Sequence, residues 1–396
     1  MLQDLFKKLE SPDRPLLGPN FKALQLWGLI LPKNTFKRNF FLILDVLIII
    51  FVITECIEIW FIKDDINLVL NNVKITLLSA VSIAKVISFL IWQKDWKSII
   101  DYVTKADLAL RKSKDKMPYI EKYTKYCRKM TYLYWFFMFA TAFGVLVQPL
   151  IKYISSPSYR QNVKNGTESY QQIISSWVPF DKNTIPGYIA ASIYQVFANI
   201  FGGGLITIID SIAIVIMVFI KSEFEMLRLD CANIFGKEEP VDSFEALQRL
   251  RNFLLNSFFV NFKNTRLFDS CLSPIMFFYI MSVCSVMLCA TFYQLSIEKN
   301  PMERILIAEY LVFGIVQLFM FCWHSNDVFY ASKDLLLGPY ESEWYSRTKS
   351  EQRNIIILIG KFSQTIVFTA GPFSNLNLSI FINILKGAYS YYTLLN

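Results

Sequence analysis

The chain has 396 residues, of which 54% are apolar and 16% aromatic, and its formal net charge is +8. So apolar a composition excludes a soluble domain, whereas the length suffices for about six to eight membrane spans. The composition therefore predicts an integral membrane protein, and the positive charge fits basic loops beside anionic lipid without requiring nucleic acid.

The amino-terminal segment, residues 1–39, contains no apolar run followed by a small-residue cleavage site. We therefore expect no removable signal peptide, with the first span directing membrane insertion. Beyond it, seven windows are apolar and long enough to cross about 30 Å of hydrocarbon. These windows lie near residues 40–62, 71–92, 131–153, 187–220, 270–294, 304–329 and 376–395. The predicted fold class is all-α, a polytopic membrane protein with seven transmembrane helices.

Basic residues are distributed unevenly among the segments that connect these spans. Lys and Arg are about four times more numerous in one alternating set of segments than in the other, which predicts an intracellular N-terminus. Seven spans then place the C-terminus outside the cell, the reverse of a G-protein-coupled receptor. The basic set comprises residues 1–39, 93–130, 221–269 and 330–361, and the other set comprises 63–74, 152–186 and 295–304.

A sequon at Asn165-Gly166-Thr167 lies in a segment that the charge distribution places outside the cell. Asn165 is therefore a predicted glycosylation site. The inner segments 93–130 and 221–269 have apolar residues at helical spacing. They either continue as cytoplasmic helices that pack on the segment after the sixth span, or only join spans.

Residues 354–370 form a moderately apolar segment interrupted by Lys361 and Gln364. We interpret it as the first half of a broken final helix, with Gly371-Pro372 as the break. The alternative is a separate eighth helix that stays within protein or at the membrane interface.

The sequence gives little support to enzymatic chemistry. The seven cysteines are scattered without a CxxC pair, so neither a disulfide framework nor a metal site is expected. His324 is the only histidine and is predicted to serve packing or hydrogen bonding. No nucleotide-binding or hydrolase motif occurs, so we expect no cofactor and no enzyme. Gly202-Gly203-Gly204 indicates close helix packing or a flexible point in a span.

Two stretches near the end of the chain carry specific motifs. The first contains Cys322-Trp323, Ser325-Asn326-Asp327-Val328, Ser332, Leu335 and Trp344-Tyr345. The second contains Thr369-Ala370-Gly371, Phe373, Leu376, Leu378, Phe381, Leu385-Lys386, Ala388-Tyr389-Ser390-Tyr391 and Thr393-Leu394-Leu395. Both stretches resemble the corresponding patterns of insect odorant receptors. The segment 93–130 is too short for the extended inner loop of the family's co-receptor, so the chain resembles a tuning subunit.

The resemblance implies a domain organisation. Residues 1–39 would be a cytoplasmic segment and residues 40–329 a six-helix ligand-binding bundle with cytoplasmic helix extensions. Residues 330–375 would form a cytoplasmic anchor, and residues 376–396 the pore-lining helix. The last helix would thus be split into a cytoplasmic anchor half and a pore-lining half.

The resemblance also implies a function. It indicates an odorant-recognising subunit of a heteromeric, ligand-gated, non-selective cation channel that detects a small volatile hydrophobic molecule. Its partners would be co-receptor subunits in a tetramer, and its location the plasma membrane of an olfactory neuron dendrite.

By the same resemblance, the pore gate lies near the end of the last helix. Leu394 matches the family's hydrophobic gate, with Tyr391 and Leu395 nearby. An apolar ring can close a pore by dewetting. Lys386 lies in the same helix, and because four lysines are unfavourable in a cation pore, it either points to a neighbouring helix or is diluted by other subunits.

The family's odorant pocket lies in the outer half of the bundle, among the second to sixth spans. Aromatic and methionine side chains would supply dispersion contacts there, and tyrosine or serine hydroxyls would hold a ligand oxygen. The predicted ligand-binding residues are Leu78, Val81, Ser82, Phe139, Phe143, Val147, Tyr188, Ser192, Tyr194, Tyr279, Met281, Tyr310 and Phe313.

Charged residues inside the spans are costly enough to suggest roles. Glu309 is adjacent to two predicted pocket residues and could pair across helices or tune the vestibule. The residues that we single out on this ground are Asp45, Glu55, Glu58, Lys85, Asp210 and Glu309. The alternative function is a secondary transporter of small hydrophobic molecules, which predicts inverted repeats that the spans do not display.

Overall fold

A computed structural model describes residues 9–64, 66–236 and 242–395. The described chain is helical apart from its connections and one very short hairpin. In order, the helices are α1 (Gly18–Leu26), α2 (Thr35–Phe61), α3 (Ile66–Ile91), α4 (Gln93–Leu110), α5 (Met117–Ser155), α6 (Pro157–Lys164), α7 (Ile185–Ala232), α8 (Ser243–Asn252), α9 (Phe259–Phe278), α10 (Ser285–Ile297), α11 (Pro301–Asp334), α12 (Leu337–Tyr340), α13 (Lys349–Phe362) and α14 (Leu378–Leu395).

Each of the seven predicted spans lies on a helix, which confirms the predicted fold class. Within the described ranges, α2, α3, α5, α7 and α11 are long and apolar enough to cross a membrane. The fifth span is divided between α9 and α10 by a π-helical turn at Tyr279–Cys284. The seventh, α14, is 18 residues long.

Polar residues fix the starts of several of these helices. The side chains of Asn34, Thr184 and Asn300 accept hydrogen bonds from backbone N–H groups at the starts of α2, α7 and α11. Such caps satisfy donors that have no partner within the helix. At α13, Thr348 and Glu351 form a reciprocal capping box. Burial by itself raises the pKa of Glu351, but the hydrogen bonds from Thr348 outweigh it and hold the pKa below its usual value.

Helix α7 lies at the centre of the bundle and packs against α3, α5 and α11. Most of its membrane span is buried within the chain. The amino-terminal helix α1 packs on α7, and a Cβ atom at Gly204 would lie 2.2 Å from Trp27 Nε1. Gly204 therefore serves close packing, one of the two roles predicted for the glycine triplet.

The connection between α5 and α7 covers the end of the bundle that is predicted to be outside. Lys182 Nζ lies 2.6 Å from Glu58 Oε1 on α2, and the Ser175 hydroxyl donates to the same oxygen. Gln195 on α7 accepts hydrogen bonds from the backbone of Ile173 and Ile174. These contacts hold the connection against the bundle.

The segment before the last helix differs from the predicted half-helix. Helix α13 ends at Phe362, and residues Thr369–Ala370 pair with Ser374–Asn375 in an antiparallel hairpin, here β1 and β2. Phe368 and Ala370 are fully buried. The Thr369 N–H donates to Asp269 on α9 at 2.8 Å. Burial and these contacts favour an extended backbone over continuation of the helix.

Gly371 makes the hairpin turn and gives a first testable prediction. Its φ of 68° lies in the left-handed region, and an added Cβ atom would lie 2.4 Å from Phe277 Cδ2. Gly371→Ala is therefore expected to lower stability by about 2 kcal/mol. Thermal unfolding of the full chain in detergent measures this. The matched control is Gly360→Ala, which has open space around the added methyl group and is expected to be neutral or stabilising. Equal unfolding midpoints for the two variants would contradict the prediction.

Candidate functional site

An apolar cavity lies between five helices in the half of the bundle predicted to face outward. Its free volume is about 90 Å³, which exceeds the roughly 10–15 Å³ that one water molecule requires. Such a cavity can hold a small organic molecule. The lining residues are Ile48, Phe51 and Val52 of α2, Ile75, Leu78, Ser79 and Ser82 of α3, Met138, Thr141, Ala142 and Val145 of α5, Ala198, Asn199, Gly202, Gly203 and Ile206 of α7, Tyr310 and Phe313 of α11, and Ile174 of the connection.

Helical spacing explains which side of each helix meets the cavity. The α7 residues that line it recur three or four positions apart, so they share one face of that helix. Gly202 has no heavy atom within 4 Å of a built Cβ atom, and at Gly203 the nearest atom is Met138 Cε at 3.7 Å. The two glycines therefore leave space that larger side chains would fill.

The predicted pocket residues fall in several environments. Leu78, Ser82, Tyr310 and Phe313 line the cavity. Val81 and Tyr279 are fully buried elsewhere, while Phe139 and Phe143 are 73% and 57% exposed on the outer surface of α5. The Tyr188 and Tyr194 hydroxyls donate to the Gln171 and Leu47 carbonyls. Val147 and Ser192 lie outside the lining set, and the side chain of Met281 lies outside the described residues.

Sequence reasoning omitted the first span and much of the α7 face. Phe51 and Val52 were not proposed because the family pattern places the pocket among later spans. Asn199 was not singled out, although an amide side chain in a largely apolar run is a visible signal. Whether any lining residue contacts a ligand stays a prediction.

A small polar compartment adjoins the cavity on the side of the predicted exterior. It has a free volume of about 20 Å³ and shares Thr141 and Tyr310 with the cavity. Lys74, Gln148 and Glu309 also line it. Lys74 is buried, with Nζ 2.5 Å from Gln294 Oε1. Glu309 therefore lies beside the cavity in a polar niche, and its role stays a prediction.

One helical turn below the cavity floor, a buried ion pair occupies the centre of the bundle. Lys85 Nζ on α3 lies 2.6 Å from Asp210 Oδ1 on α7, and both side chains are about 1% exposed. The second oxygen, Asp210 Oδ2, accepts hydrogen bonds from the Tyr134 hydroxyl at 2.7 Å and the Gln317 amide at 2.6 Å. The Tyr279 hydroxyl donates to Gln317 Oε1 at 3.2 Å. We call these five residues the central polar network.

The central polar network joins five of the seven spans. A buried charge requires both a partner and hydrogen bonds that satisfy its remaining atoms, and Asp210 has both. Tyr279 belongs to the π-helical turn of the fifth span, and such turns are frequent at functional sites. The network therefore fixes the positions of the helices around the cavity floor.

Contacts continue from α11 to the terminal helix. The Phe319 and Phe381 rings lie 5.4 Å apart. The Ser325 hydroxyl donates to the Leu376 carbonyl at 2.5 Å. His324 is buried and its Nε2 lies 3.2 Å from the Tyr126 hydroxyl, in keeping with its predicted hydrogen-bonding role. Helix α11 thus contacts both the cavity and the terminal helix.

One side of α14 is not covered by the rest of the described chain. Ile384 and Ala388 face the bundle and are buried. On the uncovered side, Tyr391 is 60% and Leu394 81% exposed. Lys386 is also exposed within the described chain. The side chain of Leu395 lies outside the described residues.

Comparison with known proteins now decides the family. The sequence profile described as "7tm Odorant receptor" matches residues 65–389, most of the chain. The chain belongs to the odorant receptor family. This confirms the resemblance found in the sequence and identifies a membrane-embedded receptor rather than a member of an enzyme family.

Individual proteins that are similar to this receptor are also named odorant receptors. It is 30% identical to Odorant receptor 10 of Aedes albopictus over 110 residues, 28% of this chain and 29% of that protein. It is also 30% identical to Odorant receptor Or2 of Anopheles gambiae over 28% of this chain and 29% of that protein. With Odorant receptor 23a of Drosophila melanogaster the identity is 24% over 55% of this chain and 57% of that protein. The receptor thus aligns with less than a third of the length of the first two relatives.

Solved structures share the fold of the receptor. The olfactory receptor OR5 of Machilis hrabei superposes with a TM-score of 0.79 at 18% identity, covering all of this chain and 98% of OR5. A second OR5 structure, in complex with eugenol, has the same TM-score and covers 95% of this chain and 96% of OR5. At this identity the likeness establishes the fold.

Proposed function

We propose that this receptor is the odorant-recognising subunit of a heteromeric, ligand-gated, non-selective cation channel. It would detect a small volatile hydrophobic molecule together with co-receptor subunits in a tetramer, at the plasma membrane of an olfactory neuron dendrite. The observation that carries the proposal is an apolar cavity between the helices. Its α11 wall continues into contact with a terminal helix that has one uncovered face.

In the proposed orientation, the N-terminus of the chain lies inside the cell and the C-terminus lies outside. The cavity then lies in the outer half of the membrane, where a ligand arriving from outside can reach it. Residues 330–375 would form the cytoplasmic anchor and residues 376–396 the pore-lining helix. Asn165 lies on an exposed turn, where a glycan can be attached if the turn is extracellular.

The proposed mechanism is a shift between two states of the terminal helix. A ligand in the cavity contacts Tyr310 and Phe313 of α11, and α11 contacts α14 lower in the membrane through Phe319. A ligand that fits one arrangement of α11 better than the other favours the matching position of α14. Outward movement of α14 would separate the apolar side chains around the pore and allow water to enter.

The test is expression of the full chain with and without a co-receptor subunit of this family. Membrane current is recorded while volatile esters, terpenes, alcohols and aromatics are applied. Current that requires both the co-receptor and a volatile supports the proposal, whereas ligand-gated current from this chain alone would overturn the heteromeric part. Silence in both cases, with delivery to the cell surface verified, would favour the transporter alternative, which uptake of a labelled volatile then tests.

The proposed gate gives a second prediction. Among the described residues that the sequence assigns to the gate, Leu394 is the most exposed. Leu394→Ala is expected to raise the current without ligand severalfold, because a smaller ring is hydrated more easily. Leu394→Trp is expected to reduce the ligand-evoked current.

The matched control for the gate is Ile382→Ala, which changes an exposed apolar residue near the opposite end of α14. It is expected to affect ligand-free current less than Leu394→Ala does. Unchanged conductance and gating in both Leu394 variants would show that the gate lies elsewhere.

A further inference from the structure

One polar side chain in the cavity wall has no hydrogen-bond partner among the residues that the structure describes. Asn199 lies on α7 in the same face as Gly202, Gly203 and Ile206, and it borders the cavity. Its amide has two donors and an acceptor. Inside a membrane bundle an amide without hydrogen-bond partners is costly. A ligand in the cavity that forms hydrogen bonds with Asn199 would remove this cost.

Each hydroxyl group of the cavity wall already donates a hydrogen bond to another group of the protein. Each hydroxyl carries a single proton. Ser82 donates to the Gly202 carbonyl at 3.4 Å, and Thr141 donates to the Phe137 carbonyl at 3.0 Å. The other two donate likewise: Ser79 to Glu55 Oε1 at 3.3 Å, and Tyr310 to the Lys74 carbonyl at 3.2 Å. The hydroxyls therefore offer only lone pairs to a ligand, and the N–H donors of the wall belong to Asn199.

We propose that the ligand of this cavity is a small alcohol or phenol whose hydroxyl group is bound by Asn199. The inference rests on the proposed function and names the ligand class of the same site. A ligand hydroxyl accepts from Asn199 Nδ2 and donates to Asn199 Oδ1 or to one of the lone pairs of the wall. A ligand hydroxyl therefore satisfies both the N–H donors of Asn199 and the acceptors of the cavity wall.

Other ligand classes fit the wall less well. Ethers, esters and ketones accept hydrogen bonds but donate none. They therefore leave the hydrogen-bond acceptors of the cavity wall without a donor. Carboxylates and ammonium compounds carry charge, and no charged side chain is among the lining residues that the structure describes. A site that is built for a hydroxyl group discriminates strongly against an analogue that lacks it.

The experiment uses the full chain expressed with a co-receptor subunit. Two matched pairs are applied: benzyl alcohol against benzyl methyl ether, and 1-hexanol against hexyl methyl ether. Loss of one hydrogen bond that leaves its partner unsatisfied corresponds to about a tenfold change in affinity. We therefore expect half-maximal current at a roughly tenfold lower concentration for at least one of the alcohols than for its ether. Thermal stabilisation of the purified full chain by the same compounds provides a readout that does not depend on channel opening.

Two variants on α7 identify the side chain responsible. Asn199→Leu has a similar volume without the amide and is expected to reduce the preference for the alcohol to less than about twofold. Thr207→Val removes a hydroxyl that donates to the Gly203 carbonyl and lies outside the cavity lining, and it is expected to keep the preference. Surface labelling of each variant accounts for differences in delivery.

The outcomes separate this inference from the proposed function. If volatiles evoke current but ethers match their alcohols, or Asn199→Leu keeps the preference, the alcohol assignment is overturned while the receptor function stands. Water bound at Asn199 would give that same pattern. If no volatile evokes current or stabilises the protein despite surface delivery, both proposals are overturned.

Discussion

Asp210→Leu is expected to abolish delivery of the receptor to the cell surface, and with it any ligand-evoked current. The substitution leaves Lys85 as a buried ammonium group without its counter-ion, and it removes the acceptor of the Tyr134 and Gln317 hydrogen bonds. Breaking a buried ion pair in this way costs about 3–5 kcal/mol, a large part of the stability of a typical protein. Surface biotinylation and thermal unfolding in detergent measure the loss.

Simultaneous replacement of both charges tests the cause of that loss. In the double variant Lys85→Met with Asp210→Leu, no unpaired charge remains, and apolar replacements of buried pairs are often tolerated. We expect the double variant to recover a substantial part of the unfolding midpoint lost by Asp210→Leu. A double variant no more stable than the single one would show that the hydrogen bonds of Tyr134 and Gln317, and not the unpaired lysine, dominate.

An exposed ion pair provides the matched control for the buried one. Arg249 and Glu245 form an i,i+4 pair in which both side chains are about half exposed. Arg249→Met is expected to change stability by less than about 0.5 kcal/mol, because solvent screens such pairs. If Arg249→Met and Asp210→Leu had similar effects, burial of the central polar network would not explain its importance.

Gly202→Leu is expected to remove the response to every ligand that uses the cavity, while the receptor still folds. A built Cβ atom at Gly202 has no heavy atom within 4 Å, so a leucine side chain can occupy the free volume without moving the backbone. The side chain then takes up part of the space around a cavity volume of about 90 Å³. We expect ligand-evoked current to fall at least tenfold at a given concentration.

The smaller substitution Gly203→Ala serves as the control for Gly202→Leu. Its methyl group would lie 3.7 Å from Met138 Cε, an ordinary contact distance, and it removes little of the cavity. We expect a response close to that of the unchanged chain. If Gly202→Leu retains the full response at equal surface delivery, the ligand binds elsewhere in the molecule.

The sequence could place the spans because their signal is local. Each window contains enough consecutive apolar residues to cross the membrane, and every window lies on a helix in the structure. Motifs at the end of the chain likewise identified the family, since they are read directly from residue order. Those predictions needed no knowledge of which residues meet in space.

The pocket depended on information that the sequence does not hold. Phe139 and Phe143 were chosen for their depth in the third span, yet they lie on its outer surface, while Met138, Thr141 and Val145 line the cavity. Adjacent residues on a helix differ in direction by about 100°. In a span that is apolar on all sides, hydropathy does not reveal which direction faces the bundle.

The sequence by itself determined the class of protein, the number of spans and the family, because apolar length and motif order are properties of the linear chain. Only the tertiary structure decided that Lys85 pairs with Asp210, that α13 stops at Phe362, and that Asn199 borders a cavity. Each of these depends on helix rotation and on contacts between residues far apart in the chain. Packing between helices sets both, and it follows from the shapes of all the side chains together.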